Sequence, residues 1–165
     1  MKKILLITII IFMETISHAQ SLDSLAKEND NIDCSSLKKT IDEFTDVITY
    51  KAKISNEVDF LKIIKDGVSN YYLSIWIKEP GIYTGKGVNL ILKNGEKLNK
   101  PDAEVGYSYA GGNFYTTTFI KLNKDDIALL KQSGIEKYKV YISTGKISDS
   151  TDFPKNLFNC LIKAK

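Results

Sequence analysis

The sequence predicts a mainly β fold: an antiparallel β-sandwich of seven or eight short strands, with short terminal helices and one inserted helical turn. Three observations predict it. Between Asp46 and Ile142 apolar residues recur mostly at alternate positions, the period of a half-buried strand. The runs are parted by Asp66-Gly67, Pro80-Gly81, Asn94-Gly95 and Gly111-Gly112, pairs that reverse or break a chain. Tight turns make neighbouring strands antiparallel, and alternation leaves one face of each strand polar, as a two-layer β fold requires.

The N-terminus has its own signature. Lys2 and Lys3 precede an apolar run from Ile4 to Phe12, and Ser17-His18-Ala19 puts small residues where a signal peptidase reads, before Gln20. Residues 1–19 are thus expected to be a signal peptide, placing the protein in the periplasm or outside the cell. The apolar run is far shorter than the ~20 residues that span a bilayer, and no later segment is long enough either. Residues 20–33, polar and rich in Ser, Asn and Asp, read as a flexible arm. Residues 34–165 read as a single domain.

Within that domain Leu37, Ile41 and Phe44 are spaced four and three apart, which predicts a short helix from near Cys34, capped by Asp33. Ile48, Tyr50, Ala52 and Ile54 then alternate as a strand. Phe60 to Lys65 is a second strand, and Asp66-Gly67 turns it into a third over Tyr71 to Ile77. Tyr71, Leu73, Ile75 and Ile77 share one face of that third strand, while Tyr72, Ser74 and Trp76 share the other. Gly87 to Leu92 is a fourth, followed by Asn94-Gly95 as a type I′ turn candidate. A short piece through Lys97 and Leu98 ends before Pro101. Ala103 to Tyr109 and Phe114 to Leu122 flank Gly111-Gly112. Asn123 caps a helix through Ser133, with Asp125 and Asp126 in its first turn and Gly134 ending it. Ile135 to Ile142 is the last strand. Asp152 and Pro154 start a C-terminal helix with the stripe Leu157, Phe158, Leu161 and Ile162.

Composition narrows function. All 23 basic residues are lysine, and the net charge is only +3. Without arginine's planar fork or a strong basic excess, nucleic acid is not an expected partner. The only histidine, His18, falls in the segment to be cleaved. The remaining chain therefore lacks the histidine of serine and cysteine hydrolases and of most zinc, copper and iron sites. Gly85-Lys86-Gly87 has no helix behind it and reads as a loop, not a phosphate cradle. Asn29-Asp30-Asn31-Asp33 and the pair Asp149 and Asp152 lack the glycine and glutamate of an EF-hand loop. They read as solvated arm and helix cap, so no cofactor or metal is expected. Cys34 and Cys160, an isolated pair in an exported chain, are expected to form a disulfide.

Residues 87–142 carry a resemblance. Its marks are Gly87-Val88, Leu90, Leu92, Asn94-Gly95, Pro101, Phe114 to Ile120, Leu122, Asp125-Asp126, Leu129-Leu130 and Ile135 to Tyr141. The stretch resembles a module of small secreted bacterial β-sandwich proteins of uncharacterised function. In them a strand ending in Asn-Gly leads through a hairpin into a short Leu-x-x-x-Asp-Ile helix. The resemblance implies a fold and no activity.

Aromatic side chains are the remaining signal. A two-residue loop at Gly111-Gly112 sets Tyr109 opposite Phe114, Tyr107 opposite Thr116 and Tyr115 beside Ser108. Rings thus fall on both faces of one hairpin, and Tyr72 and Trp76 oppose an aliphatic face. Tyr72, Trp76, Tyr107, Tyr109 and Tyr115 are the candidate ligand contacts. The expected function is an exported, non-catalytic protein that binds a macromolecule, protein or glycan, at the cell envelope. Two alternatives stand beside it: a carbohydrate-binding module using exposed rings, and a glycan hydrolase built on paired carboxylates.

Overall fold

The computed structural model describes residues 34–147 and 153–165. The signal peptide and arm expected over 1–33, the Asn29–Asp33 cluster, Asp149 and Asp152 lie outside those residues. The described chain runs β1 (Lys38–Ile41), β2 (Ile48–Lys53), β3 (Val58–Lys65), β4 (Val68–Glu79), β5 (Gly85–Leu92), β6 (Lys97–Ala110), β7 (Asn113–Leu122), α1 (Lys124–Gln132), β8 (Ile135–Val140), β9 (Ser143–Lys146) and α2 (Phe153–Lys163). Among the described residues no helix is long and apolar enough to cross a membrane.

The strands form one antiparallel sheet in the order β1-β2-β3-β4-β7-β6-β5-β8-β9. Nine described strands in one sheet replace the expected seven or eight in two. Part of the difference is at the edges, where β1 and β9 have only four residues each, too few for alternation to register. The rest is β6. It pairs with β5 over Lys97–Val105 and with β7 over Val105–Ala110, running straight through Pro101. Val88 partners Lys100 while Lys86 partners Glu104, so Pro101–Ala103 bulge opposite Gly87. Proline has no N–H to give a ladder and tolerates such a site, and a bulge bends its strand. One bent strand therefore turns the corner between what read as two.

That bend coils the sheet. The Tyr138 hydroxyl on β8 donates to the carboxylate of Glu57 in the β2–β3 turn. Sheet order puts five interstrand steps between β3 and β8, roughly 24 Å if the sheet were flat. The concave side holds the core: Tyr50 and Ala52 of β2, Phe60, Leu73, Ile75, Val88, Leu90, Ile120 and Val140 are all buried. Helix α2 lies against β2, β3 and α1. Leu157, Phe158 and Leu161 are its buried stripe, as the spacing predicted. The Phe158 ring sits 4.5 Å from that of Phe60.

Both helices are tied by polar contacts. Asn123 caps α1 through a reciprocal box with Asp126 (2.9 and 2.8 Å), and Lys100 reaches the same carboxylate at 2.5 Å. Ser133, not Gly134, leaves the helical conformation. At the end of α2, Lys62 of β3 donates to the carbonyls of Ile162 (3.2 Å) and Ala164 (2.7 Å). Lys62 is buried on the core side between Phe60 and Ile64, filling carbonyls that a helix end leaves open.

Other local expectations need correction. Gly85-Lys86-Gly87, read as a loop, opens β5. No helix follows Cys34. Residues 34–37 form a turn and β1 pairs with β2, setting Thr40 against Thr49 and Ile41 against Ile48. Leu37 packs against the core, but Phe44 is fully exposed and Ile41 is 56% exposed, so the three apolar residues share no buried face. At Asn94-Gly95 only Gly95 has positive φ (84°), which makes a type I turn with a glycine bulge rather than type I′. Ile142 is exposed because β8 stops at Val140 and Tyr141 turns the chain at φ 55°.

Candidate ligand-contact face

Alternation along β4 sends Leu73, Ile75 and Ile77 into the core and Tyr72, Ser74 and Trp76 to the convex side. Strand β7 lies beside it in a register that places Phe119 opposite Ser74, Thr117 opposite Trp76 and Tyr115 opposite Lys78. Diagonal neighbours then meet. The rings of Tyr72 and Phe119 stack at 4.6 Å with 14° between planes, and Trp76 meets Tyr115 edge-on at 6.4 Å. Such diagonal pairs are within reach of long side chains on a sheet.

The cluster is anchored at Trp76 and left open. The Trp76 indole N–H donates to the hydroxyl of Ser74 at 2.7 Å. Trp76 remains 41% exposed and Phe119 54%, so no described element covers the face. Leu61 of β3 lies opposite Tyr72, extending the apolar strip while half-buried itself. An ion pair between Lys51 and Asp59, 2.6 Å, marks one border.

The five aromatic candidates therefore divide between two places. Tyr72, Trp76 and Tyr115 belong to the convex cluster. Tyr107 and Tyr109 lie on the opposite side at the β6–β7 hairpin end, with the Tyr109 and Phe114 rings 5.0 Å apart. The pairings across Gly111-Gly112 are those the two-residue loop required: Tyr109 with Phe114, Tyr107 with Thr116, Ser108 with Tyr115. Phe119 is the contact the sequence reading missed. Period two from Tyr115 already places it on the convex face.

Several ionisable groups are committed to structure. Glu57 accepts from Tyr138, Asp126 caps α1, and Asp59 pairs with Lys51. Burial, then the hydrogen bond and charge of Glu57, push the Tyr138 phenol well above its ordinary value. The N–H of Phe44 and then the Thr45 hydroxyl hold the exposed Asp42 carboxyl below the usual carboxylate value. Among the described residues no three His, Cys, Asp or Glu side chains gather as a metal site.

Cys34 and Cys160 are bonded, with Cα atoms 5.6 Å apart. The bridge joins the turn before β1 to helix α2, rather than two helices. No protein-family model, no curated protein and no solved structure matches the chain.

Proposed function

We propose that the protein is an exported, non-catalytic binding domain of the cell envelope, with the convex aromatic cluster of β4 and β7 as its contact surface. The N-terminal signal-peptide pattern and the Cys34–Cys160 bridge support export. The coiled sheet, whose two halves face each other across one core, acts as a sandwich-like scaffold of the kind found in small secreted bacterial β-proteins. The observation that carries the reading is the packed set Tyr72, Trp76, Tyr115 and Phe119, with Trp76 and Phe119 exposed and the two tyrosines half-buried. Aromatic anchors with little side-chain freedom to lose dominate binding energies at contact surfaces.

A saccharide chain is the occupant these rings favour. Sugar C–H faces stack on flat aromatic surfaces, and the half-buried Thr117, opposite Trp76, offers a hydroxyl beside the rings. Trp76 is the sole tryptophan, so its fluorescence reports directly on the face. A glycan array and a fluorescence titration with cell-wall polysaccharide test the reading. Binding that perturbs Trp76 emission and falls about tenfold or more in Trp76→Ala or Phe119→Ala supports it. Binding unaffected by either substitution sinks the assignment of this face. Capture of an envelope protein through the same face would keep the binding role and remove the saccharide.

A further inference from the structure

Past the Pro101–Ala103 bend the convex side changes chemistry. Cross-strand register lays outward side chains in two rows over β6, β5, β8 and β9. One row is Asn99, Asn89, Lys139 and Thr144; the next is Lys97, Ile91, Lys137 and Lys146. These rows line a cavity of about 720 Å³, within the range of small-molecule sites. Leu90, Tyr138 and Gly145 also border it. The buried side chains of Leu90 and Tyr138 alternate to the core, so their main chain forms the floor.

The lining includes four lysines and no acid. Lys137 has a half-exposed partner in Glu136 at 3.3 Å, the kind of surface pair that contributes little. Lys97, Lys139 and Lys146 have no ion pair among the described residues. Nearby Glu96 is engaged by Asn94. In a chain of net charge only +3, this gathers unbalanced positive charge in one place, which raises the local concentration of anions.

Spacing defines the ligand. Ile91 separates Lys97 on one bank from Lys137, Lys139 and Lys146 on the other. The two banks are roughly 10 Å apart, two interstrand steps. Banks that far apart give two anionic groups separate places to sit. Two phosphates, each carrying about −1.5 to −2 at neutral pH, match four lysines in total charge. Lysine meets phosphate as a point charge and needs no planar fork. Asn89, Asn99 and Thr144 can hydrogen-bond a hydroxylated body between the charged ends, and Ile91 gives it an apolar rest.

We propose that this groove binds a compact ligand with two phosphate-type groups carried on a hydroxylated body. The chemistry has two sources: a free sugar bisphosphate, or the head group of a two-phosphate lipid. Calorimetry on the full chain separates them. One arm titrates a hexose bisphosphate against the corresponding monophosphate. The other compares phosphatidylcholine vesicles doped with cardiolipin or, at equal charge, with phosphatidylglycerol.

In the arm that holds the true source, the two-phosphate probe binds about tenfold or more tightly than its comparator. That preference disappears in Lys97→Gln and in Lys139→Gln, weakens with added salt, and persists in Lys121→Gln, whose lysine lies outside the groove. The substituted lysines point to solvent, and an unchanged circular dichroism spectrum checks the fold. Equal binding of both probes in both arms overturns the site, as does full affinity in the two groove variants.

Discussion

The phenol of Tyr138 and the carboxylate of Glu57 are hydrogen-bonded across 81 residues of chain and five interstrand steps of sheet. This contact joins the two halves of the coiled sheet at its open side. Tyr138→Phe leaves a half-buried carboxylate without its donor, and the expected loss is about 1–3 kcal/mol. The pH dependence has a definite sign. The folded-state phenol titrates above its unfolded value of 10.0. Folding therefore favours the neutral form, whose contribution is whole below about pH 10 and declines as pH rises beyond it. Urea midpoints on either side of that value should fall less in Tyr138→Phe than in the parent.

Gly145 lies directly beneath the same ring. A Cβ built there would stand 2.2 Å from Tyr138 Cζ and 2.4 Å from Cε2, with the phenol oxygen equally close. Gly145→Ala must push the ring aside and disturb its contact with Glu57. A destabilisation of about 1–3 kcal/mol is expected. In Tyr138→Ala, where the ring is gone, the same glycine substitution should cost much less; a double-mutant cycle measures the difference.

The Cys34–Cys160 bridge closes a loop with a sequence separation of 126. The chain-entropy account gives about 4–5 kcal/mol for a loop of that length, as an upper figure. Cys34→Ser with Cys160→Ser should lower the melting temperature by several degrees or more, and the native protein should show no reactive thiol under denaturing conditions without reductant. Two thiols released by denaturant alone would contradict the bridge.

Lys62 acts where β3 meets the end of α2. Its ammonium serves the carbonyls of Ile162 and Ala164 and lies 5.5 Å from the Tyr71 ring centre. Lys62→Met keeps the aliphatic stem but removes the donor and the favourable charge at a helix C-terminus. We expect a loss of about 1–3 kcal/mol. Amide exchange should quicken over the last turn of α2, with β8 unaffected.

Much of this organisation was legible in local sequence. Asp66-Gly67 and Gly111-Gly112 turn with φ positive at both residues, and the strands beside them keep the faces their alternation assigned. Asn123 and Asp126 make the cap that their spacing implies. What local pattern could not convey is which strands continue. Pro101 breaks a helix and interrupts a ladder, but in β6 it occupies a bulge, and only the partners on either side reveal the strand as one. Nor can period three or four supply a shared partner surface: Leu37 reaches the core while Ile41 and Phe44 stay exposed, and no helix forms. Lys97, Lys137, Lys139 and Lys146 looked like scattered solvated charges; three separate pairings bring them together.

The Cys34–Cys160 bridge also decides how the domain answers to tension. Residues outside the bridge, before Cys34 and after Cys160, are the handles through which an attached surface or partner would pull. Force applied between them passes through the covalent bond and bypasses the β-sheet. Pulling the oxidised protein across the bridge should therefore leave the β-sheet folded, whereas the reduced protein should give way strand by strand. Oxidation then sets not only stability but also which parts of the chain can bear load.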